Sequence, residues 1–343
     1  MFRHLALAAC ALGLAFGLAG CDASSASESA QNVGNTAIVL QSPVPAEPLL
    51  RKMSTAATDA VYRGVRRVEQ HWTIAGQALS STYREEVASD GRGRWSLETV
   101  ELVAPTLASP QQDLWRMLQE SREGFLFRYR DFRLFDVAQM ATNYTTLLTG
   151  NIVDVAGRSC VEMVSTLRLG RGFTYNLCVD RESGLVLRCE QVAPNGARMG
   201  LVEFESIEFT PVFPPDQPWH VVSNDERPLP AGQAAAQLVG FEPVRPLRAQ
   251  PRFRVLESTV VTSPDPNQPG TLAWVKTTLT DGIEVVFVLQ GGPDSSVGVG
   301  DVVRVSPSVG PWNHVEGVLS GQRLMAMGRV SVDDLLDLLD ENF

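Results

Sequence analysis

The sequence predicts an α+β protein: a strongly curved antiparallel sheet, half-barrel in form with helices on its concave face, followed by a smaller α+β unit. Three observations carry that reading. Gly157–Phe209 holds four extended runs, Cys160–Arg168, Phe173–Val179, Leu185–Val192 and Leu201–Phe209, parted by Leu169–Gly172, Arg181–Gly184 and Pro194–Gly196. Short β-rich runs punctuated by Gly and Asn-Gly are the mark of an antiparallel meander. Within the second run Phe173, Tyr175, Leu177 and Val179 alternate with Thr174, Asn176 and Cys178, so one face is apolar. Further on, Asp281-Gly282 stands between two β-branched runs, a strong hairpin signal.

Taken in order, the chain opens with a leader. Arg3 and His4 precede an apolar run, Leu5–Leu18, and Leu18-Ala19-Gly20-Cys21 follows. The apolar run is shorter than a membrane span and has the flanks of a secretory signal. Leu-Ala-Gly-Cys resembles the bacterial lipobox, which implies that residues 1–20 are removed and that Cys21 is lipidated. Asp22 directly after it resembles an inner-membrane retention signal. Residues 21–48 are rich in Ser, Ala and Pro and read as a disordered tether.

Residues 49–212 read as the first folded domain. Leu49, Leu50, Met53, Ala56, Ala57 and Ala60 fall at helical spacing and predict a core-facing helix over Leu49–Val61. Strands are expected at Tyr62–Ile74, Ser81–Val87 and Arg94–Val103, whose many Arg and Glu residues suit a wet outer face. Ser109-Pro110 predicts the cap and first position of a short helix. Gly124–Tyr129 reads as a strand and Phe132–Leu148 as a further helix, before the meander closes the domain. A curved sheet crossed by helices can enclose an apolar cavity. Its candidate lining is Trp72, Trp95, Trp115, Phe125, Phe127 and Tyr129.

Residues 213–236 are Pro-rich and read as a linker. Residues 237–343 make the second domain, with strands at Phe253–Thr262, Leu272–Leu279, Ile283–Leu289, Val302–Val305, Trp312–Leu319 and Gln322–Val330. Ser331 caps a terminal helix, Val332–Leu339, with Asp333 and Asp334 in its first turn.

The chain's 343 residues suffice for two cores, and a net charge of −10 argues against a nucleic-acid or anionic-membrane binder. His71, His220 and His314 are each isolated, and there is no metalloprotease, nucleophile-elbow, P-loop or dinucleotide motif. The sequence is therefore read as non-enzymatic, without cofactor or metal. With Cys21 set aside, cysteines beyond the leader stand at 160, 178 and 189. In an oxidising compartment Cys178 could bridge to Cys189, or Cys160 to Cys178, leaving one thiol over.

Val155–Arg158, Phe173–Asp180 and Ser183–Arg188 together resemble the RseB/MucB family, periplasmic negative regulators of the envelope-stress sigma-factor pathway. Gly240-Phe241, Leu279–Val285 and Gly328–Leu335 resemble motifs of that family's second domain, in the same order. The resemblance implies a LolA-like first domain that binds acyl chains of a lipoprotein or of lipopolysaccharide. It also implies a partner, the periplasmic part of an anti-sigma factor. The lipid anchor at Cys21 and the long linker depart from the best-known relatives. The alternative expectation is a LolA-like lipid or lipoprotein carrier or chaperone with no sigma-factor role.

Overall fold

The computed structural model describes residues 47–74, 77–106, 108, 112–113, 131–168, 172–221, 227–244, 251–264, 271–293, 302–309, 312–319 and 321–340. The leader, most of the tether and the expected strand at 124–129 lie outside these residues. Helix α1 (Glu47–Asp59) buries Leu50, Met53 and Ala56, the stripe that its spacing predicts. Then come β1 (Val61–Ile74), β2 (Gln77–Asp90) and β3 (Arg94–Ala104). Next is α2 (Val137–Asn143), followed by β4 (Tyr144–Val155), β5 (Arg158–Leu167), β6 (Thr174–Asp180), β7 (Val186–Val192) and β8 (Arg198–Phe209).

With β9 (His220–Val221) these strands form one antiparallel sheet in the order β4-β5-β6-β7-β8-β1-β2-β3-β9. Register shifts interrupt β1–β8, β2–β3, β4–β5, β6–β7 and β7–β8. Each such bulge bends its strand and increases the local twist. The sheet curls far enough for β4 to meet β8. Helices α1 and α2 lie across its inner face, where Leu50, Met53 and Met140 pack on Met163, Leu167, Tyr175, Leu177 and Val179.

One expected element is different. Phe132–Leu148 is not one helix: α2 covers only Val137–Asn143, and Tyr144 already begins a strand. Asp136 caps α2 by accepting a bond from the Gln139 N–H. Tyr-Thr-Thr then favours extended backbone, and Tyr144–Leu148 gain a ladder with Met163–Leu167 that a helix would forgo.

The second sheet comprises β10 (Arg227–Pro228), β11 (Arg254–Pro264), β12 (Thr271–Thr280), β13 (Val285–Pro293), β14 (Val302–Val309), β15 (Trp312–Leu319) and β16 (Gln322–Gly328). Its order is β10-β11-β12-β13-β16-β15-β14. Helix α3 (Gln233–Val239) lies between β10 and β11, and α4 (Val332–Asp340) follows β16. Leu335, Leu338 and Leu339 of α4 pack on Leu279, Val286, Val288, Val315 and Leu324. On the opposite face Phe135, from the first unit, packs against Val285, Phe287, Leu289, Trp312 and Met327. Both faces of β13 are thus covered, which suits its unbroken apolar run, Val285–Leu289. Among the described residues no helix is long and apolar enough to cross a membrane.

Candidate functional site

A hairpin tip is ordinarily the most exposed part of a sheet. The tip between β12 and β13 is the reverse: Asp281, Ile283 and Glu284 are 0, 1 and 2 % exposed. It is built as a rigid four-residue loop, not the two-residue turn that Asp-Gly predicts. The Asp281 Oδ1 accepts from the Ile283 and Glu284 N–H groups at 3.1 and 2.8 Å. The Thr280 hydroxyl accepts from the Gly282 N–H at 3.0 Å and donates to the Glu284 carbonyl at 2.8 Å. Gly282 sits at φ +109, open to glycine and strained for any other residue.

This loop is seated in the first half-barrel. Ile283 packs among Leu50, Met53, Leu134, Met140, Tyr144, Tyr175 and Leu177, all from the first unit. The Tyr144 hydroxyl donates to Asp281 Oδ2 at 2.8 Å, and the Tyr175 hydroxyl donates to Glu284 Oε1. Gln191 Nε2 approaches the same Glu284 oxygen at 3.5 Å. Backbone groups join in: the Phe135 N–H donates to the Gly282 carbonyl at 2.9 Å, and Asn143 Nδ2 donates to the Asp281 carbonyl at 2.8 Å. From their own unit the carboxylates receive cations, Arg329 on Glu284 at 2.8 Å and Arg252 on Asp281 at 3.2 Å. An ion pair between Arg254 and Asp136 crosses at the rim.

The electrostatics follow from burial. Desolvation pushes the Glu284 carboxyl above its ordinary value, although Arg329 and the Tyr175 hydroxyl pull it down. Desolvation also drives Tyr144 and Tyr175 well above the usual phenol value, reinforced by the negative charges of Asp281 and Glu284. Both tyrosines therefore stay protonated and act as hydrogen-bond donors. The arrangement grips a pair of carboxylates and an aliphatic side chain.

The sequence-predicted lining is placed only in part. Trp95 lies on β3, 2 % exposed, in a cluster with Tyr62, Val87, Leu97 and Phe204. Trp72 lies on β1, with its side chain outside the described residues, and Trp115, Phe125, Phe127 and Tyr129 lie outside them altogether. Inside the half-barrel there is little space among the described residues. One cavity of about 50 Å³ lies beside Met53, Tyr62, Arg66 and Phe204, and one of about 40 Å³ beside Val68, Tyr175 and Cys189. Each is of a size for water molecules, not for an alkyl chain. A groove of about 640 Å³ opens at the mouth, lined by Leu50, Arg51, Val137, Ala138, Tyr144 and Arg168, among others.

Neither expected disulfide is formed: Cys160, Cys178 and Cys189 are free thiols. Cys178 lies opposite Arg188, and Cys189 opposite Leu177, so the two point to opposite faces of the sheet. Cys160 lies opposite Asp180, a diagonal away from Cys178 on the same face. A diagonal spans about 7–8 Å, beyond the roughly 4 Å between Cβ atoms that a bridge needs.

Residues 106–227 match the model of the MucB/RseB N-terminal domain. The chain carries a MucB/RseB-type domain over these residues. Among solved structures it is similar to MucB in complex with MucA(peri), with a TM-score of 0.52 at 20 % identity over 85 % of this chain and 96 % of that one. The Pseudomonas aeruginosa MucA/MucB complex follows at TM-score 0.48 and 19 % identity, covering 86 % of this chain and 97 % of that one. The Nitrosomonas europaea LolA superfamily protein NE2245 matches at TM-score 0.20 and 11 % identity over 49 % of this chain and 95 % of that one. The match to MucB shows a shared fold across both sheets, and the first unit has the curled antiparallel sheet with inner helices that the sequence predicts. No curated protein sequence matches this chain. The sequence places Tyr175, Leu177, Leu50 and Met53 in the core without linking them to this loop, yet Asp281-Gly282-Ile283-Glu284 sits within one of the motifs that carry the family resemblance.

Proposed function

We propose that this chain is a MucB/RseB family member and a non-enzymatic, lipid-anchored binding protein of the periplasmic face of the bacterial envelope, held by Cys21. Its partner is the periplasmic part of a membrane-spanning anti-sigma factor, which it holds in the unstressed state. Acyl chains of a mislocalised lipoprotein or of lipopolysaccharide enter the first half-barrel and release that partner. Asp22 favours the inner membrane as the site of anchorage. The observation that carries this reading is the family match over residues 106–227, joined to a MucB-like fold over 85 % of the chain. For ligand and partner to be linked, each must prefer a different arrangement of the two sheets.

Two measurements test it. Deleting the gene raises transcription of the envelope-stress regulon, and the protein captures a single-span anti-sigma factor from detergent-solubilised membranes. Unchanged transcription together with no such capture refutes the regulatory reading. The surviving alternative is then a lipid or lipoprotein carrier, for which the curled sheet is equally suited.

A further inference from the structure

The half-barrel already holds a guest, and the guest belongs to the same chain. Ile283 is 1 % exposed, and every other buried member of its apolar cluster comes from the first unit. Its carboxylate neighbours, Asp281 and Glu284, take hydrogen bonds from Tyr144 and Tyr175. An aliphatic group flanked by anionic oxygens is the chemistry of a fatty acid or a phosphorylated lipid. The groove at the mouth shares Leu50 and Tyr144 with the Ile283 cluster, so it leads to the seat that the loop fills. Among the described residues the cavities of about 50 and 40 Å³ are too small to seat an acyl chain.

We propose that the Asp281–Glu284 loop is a resident occupant of the first unit's pocket, which an anionic amphiphile displaces, so that ligand uptake and separation of the two sheets are one event. This rests on the acyl-binding reading above and supplies its missing coupling. Ligand and loop compete for Tyr144, Tyr175 and the slot of Ile283. The bound amphiphile therefore favours the separated arrangement by its differential affinity, and the docked loop lowers the apparent affinity for the amphiphile.

The test uses the full mature protein, with laurate as the probe. Ile283→Asp puts a charge into the apolar slot, and Ile283→Ala is a milder variant that still reports should the first not fold. Circular dichroism checks that the sheets persist. Small-angle X-ray scattering then reads the separation, and calorimetric titration reads laurate affinity. Both variants should expand without ligand and bind laurate about tenfold tighter, the factor expected when the loop is docked nine-tenths of the time. Saturating laurate should expand the unaltered protein. If folded variants scatter as compactly as the parent and bind laurate no better, the loop is not a competitor and the proposal is overturned, while acyl binding itself stands or falls by the parent's titration. Expansion with no laurate uptake by any form removes the acyl reading and the exchange built on it, leaving only the docking.

Discussion

Gly282→Ala tests the docking of the loop most sharply. A Cβ at this position would lie 2.6 Å from the Met140 Cα and 2.8 Å from its Cβ, on the rigid first turns of α2. Real Cβ atoms essentially never come within 3.0 Å of another heavy atom, so the loop and α2 must part by several tenths of an ångström. That shift strains the Tyr144–Asp281 bond, now 2.8 Å. An alanine at φ +109 costs about 1–3 kcal/mol, and a weakened hydrogen bond to a carboxylate about 1.5–3 kcal/mol. Together these come to about 2.5–6 kcal/mol against the docked state, enough to undock the loop. Gly196→Ala supplies the control: it has φ +83, but nothing lies within 4 Å of its Cβ, so it carries backbone strain alone. Urea unfolding followed by circular dichroism compares the two, and scattering reports compactness. Gly282→Ala should unfold at clearly lower urea than Gly196→Ala and show a larger radius of gyration. Equal midpoints and identical scattering would refute the seating of the loop against α2.

Burial opposes ionisation of Asp180, but Arg158 at 3.1 Å, the Ser183 hydroxyl and the Ser183 N–H outweigh it and hold its carboxyl below the ordinary value. Asp180→Asn should cost about 1–3 kcal/mol near neutral pH. Because the folded pKa is depressed, that contribution is present above the ordinary carboxylate pKa and vanishes as pH falls through the folded one; thermal melts of parent and variant should converge in acid. Burial pushes the Cys160 and Cys189 thiols up to about 12 and raises Cys178 as well. Alkylation at pH 8 should therefore be slow in the native protein and complete after unfolding without reductant, read by peptide mass spectrometry at all three positions. Cys21→Ser should move the protein from the membrane to the soluble fraction on cell fractionation.

Local patterns made much of the fold legible. The alternation of Phe173, Tyr175, Leu177 and Val179 places all four on the helix-covered face, while Cys178 joins a different cluster. The apolar spacing of Leu50 and Met53 predicts their burial. Phe132–Leu148 misleads because Phe135, Met140, Tyr144 and Leu148 keep helical spacing across a helix–strand junction. Nothing in that spacing records that Tyr144–Leu148 finds a strand partner some twenty residues downstream. The docking site was out of reach for a related reason. Asp281-Gly282 is a local signal and correctly marks a reversal, but its bond to Tyr144 spans 137 residues. What the sequence does hold is an oddity, an isoleucine between two acids at a position where a hairpin tip should be polar.

The ownership of charge at the loop has a consequence for how easily the two units come apart. Glu284 brings its own Arg329, and Asp281 its own Arg252, which also holds Asp334 at the start of α4 at 2.8 Å. The opposing wall gives neutral phenols and amides. Withdrawal therefore strands no naked ion in a dry interior, the event that makes most buried ion pairs so expensive to break. Among the described ion pairs, Arg254 and Asp136 are the full charges that must part from one another, the former 64 % exposed, where water screens the separation. Anion and cation leave together, like a plug carrying its own earth wire.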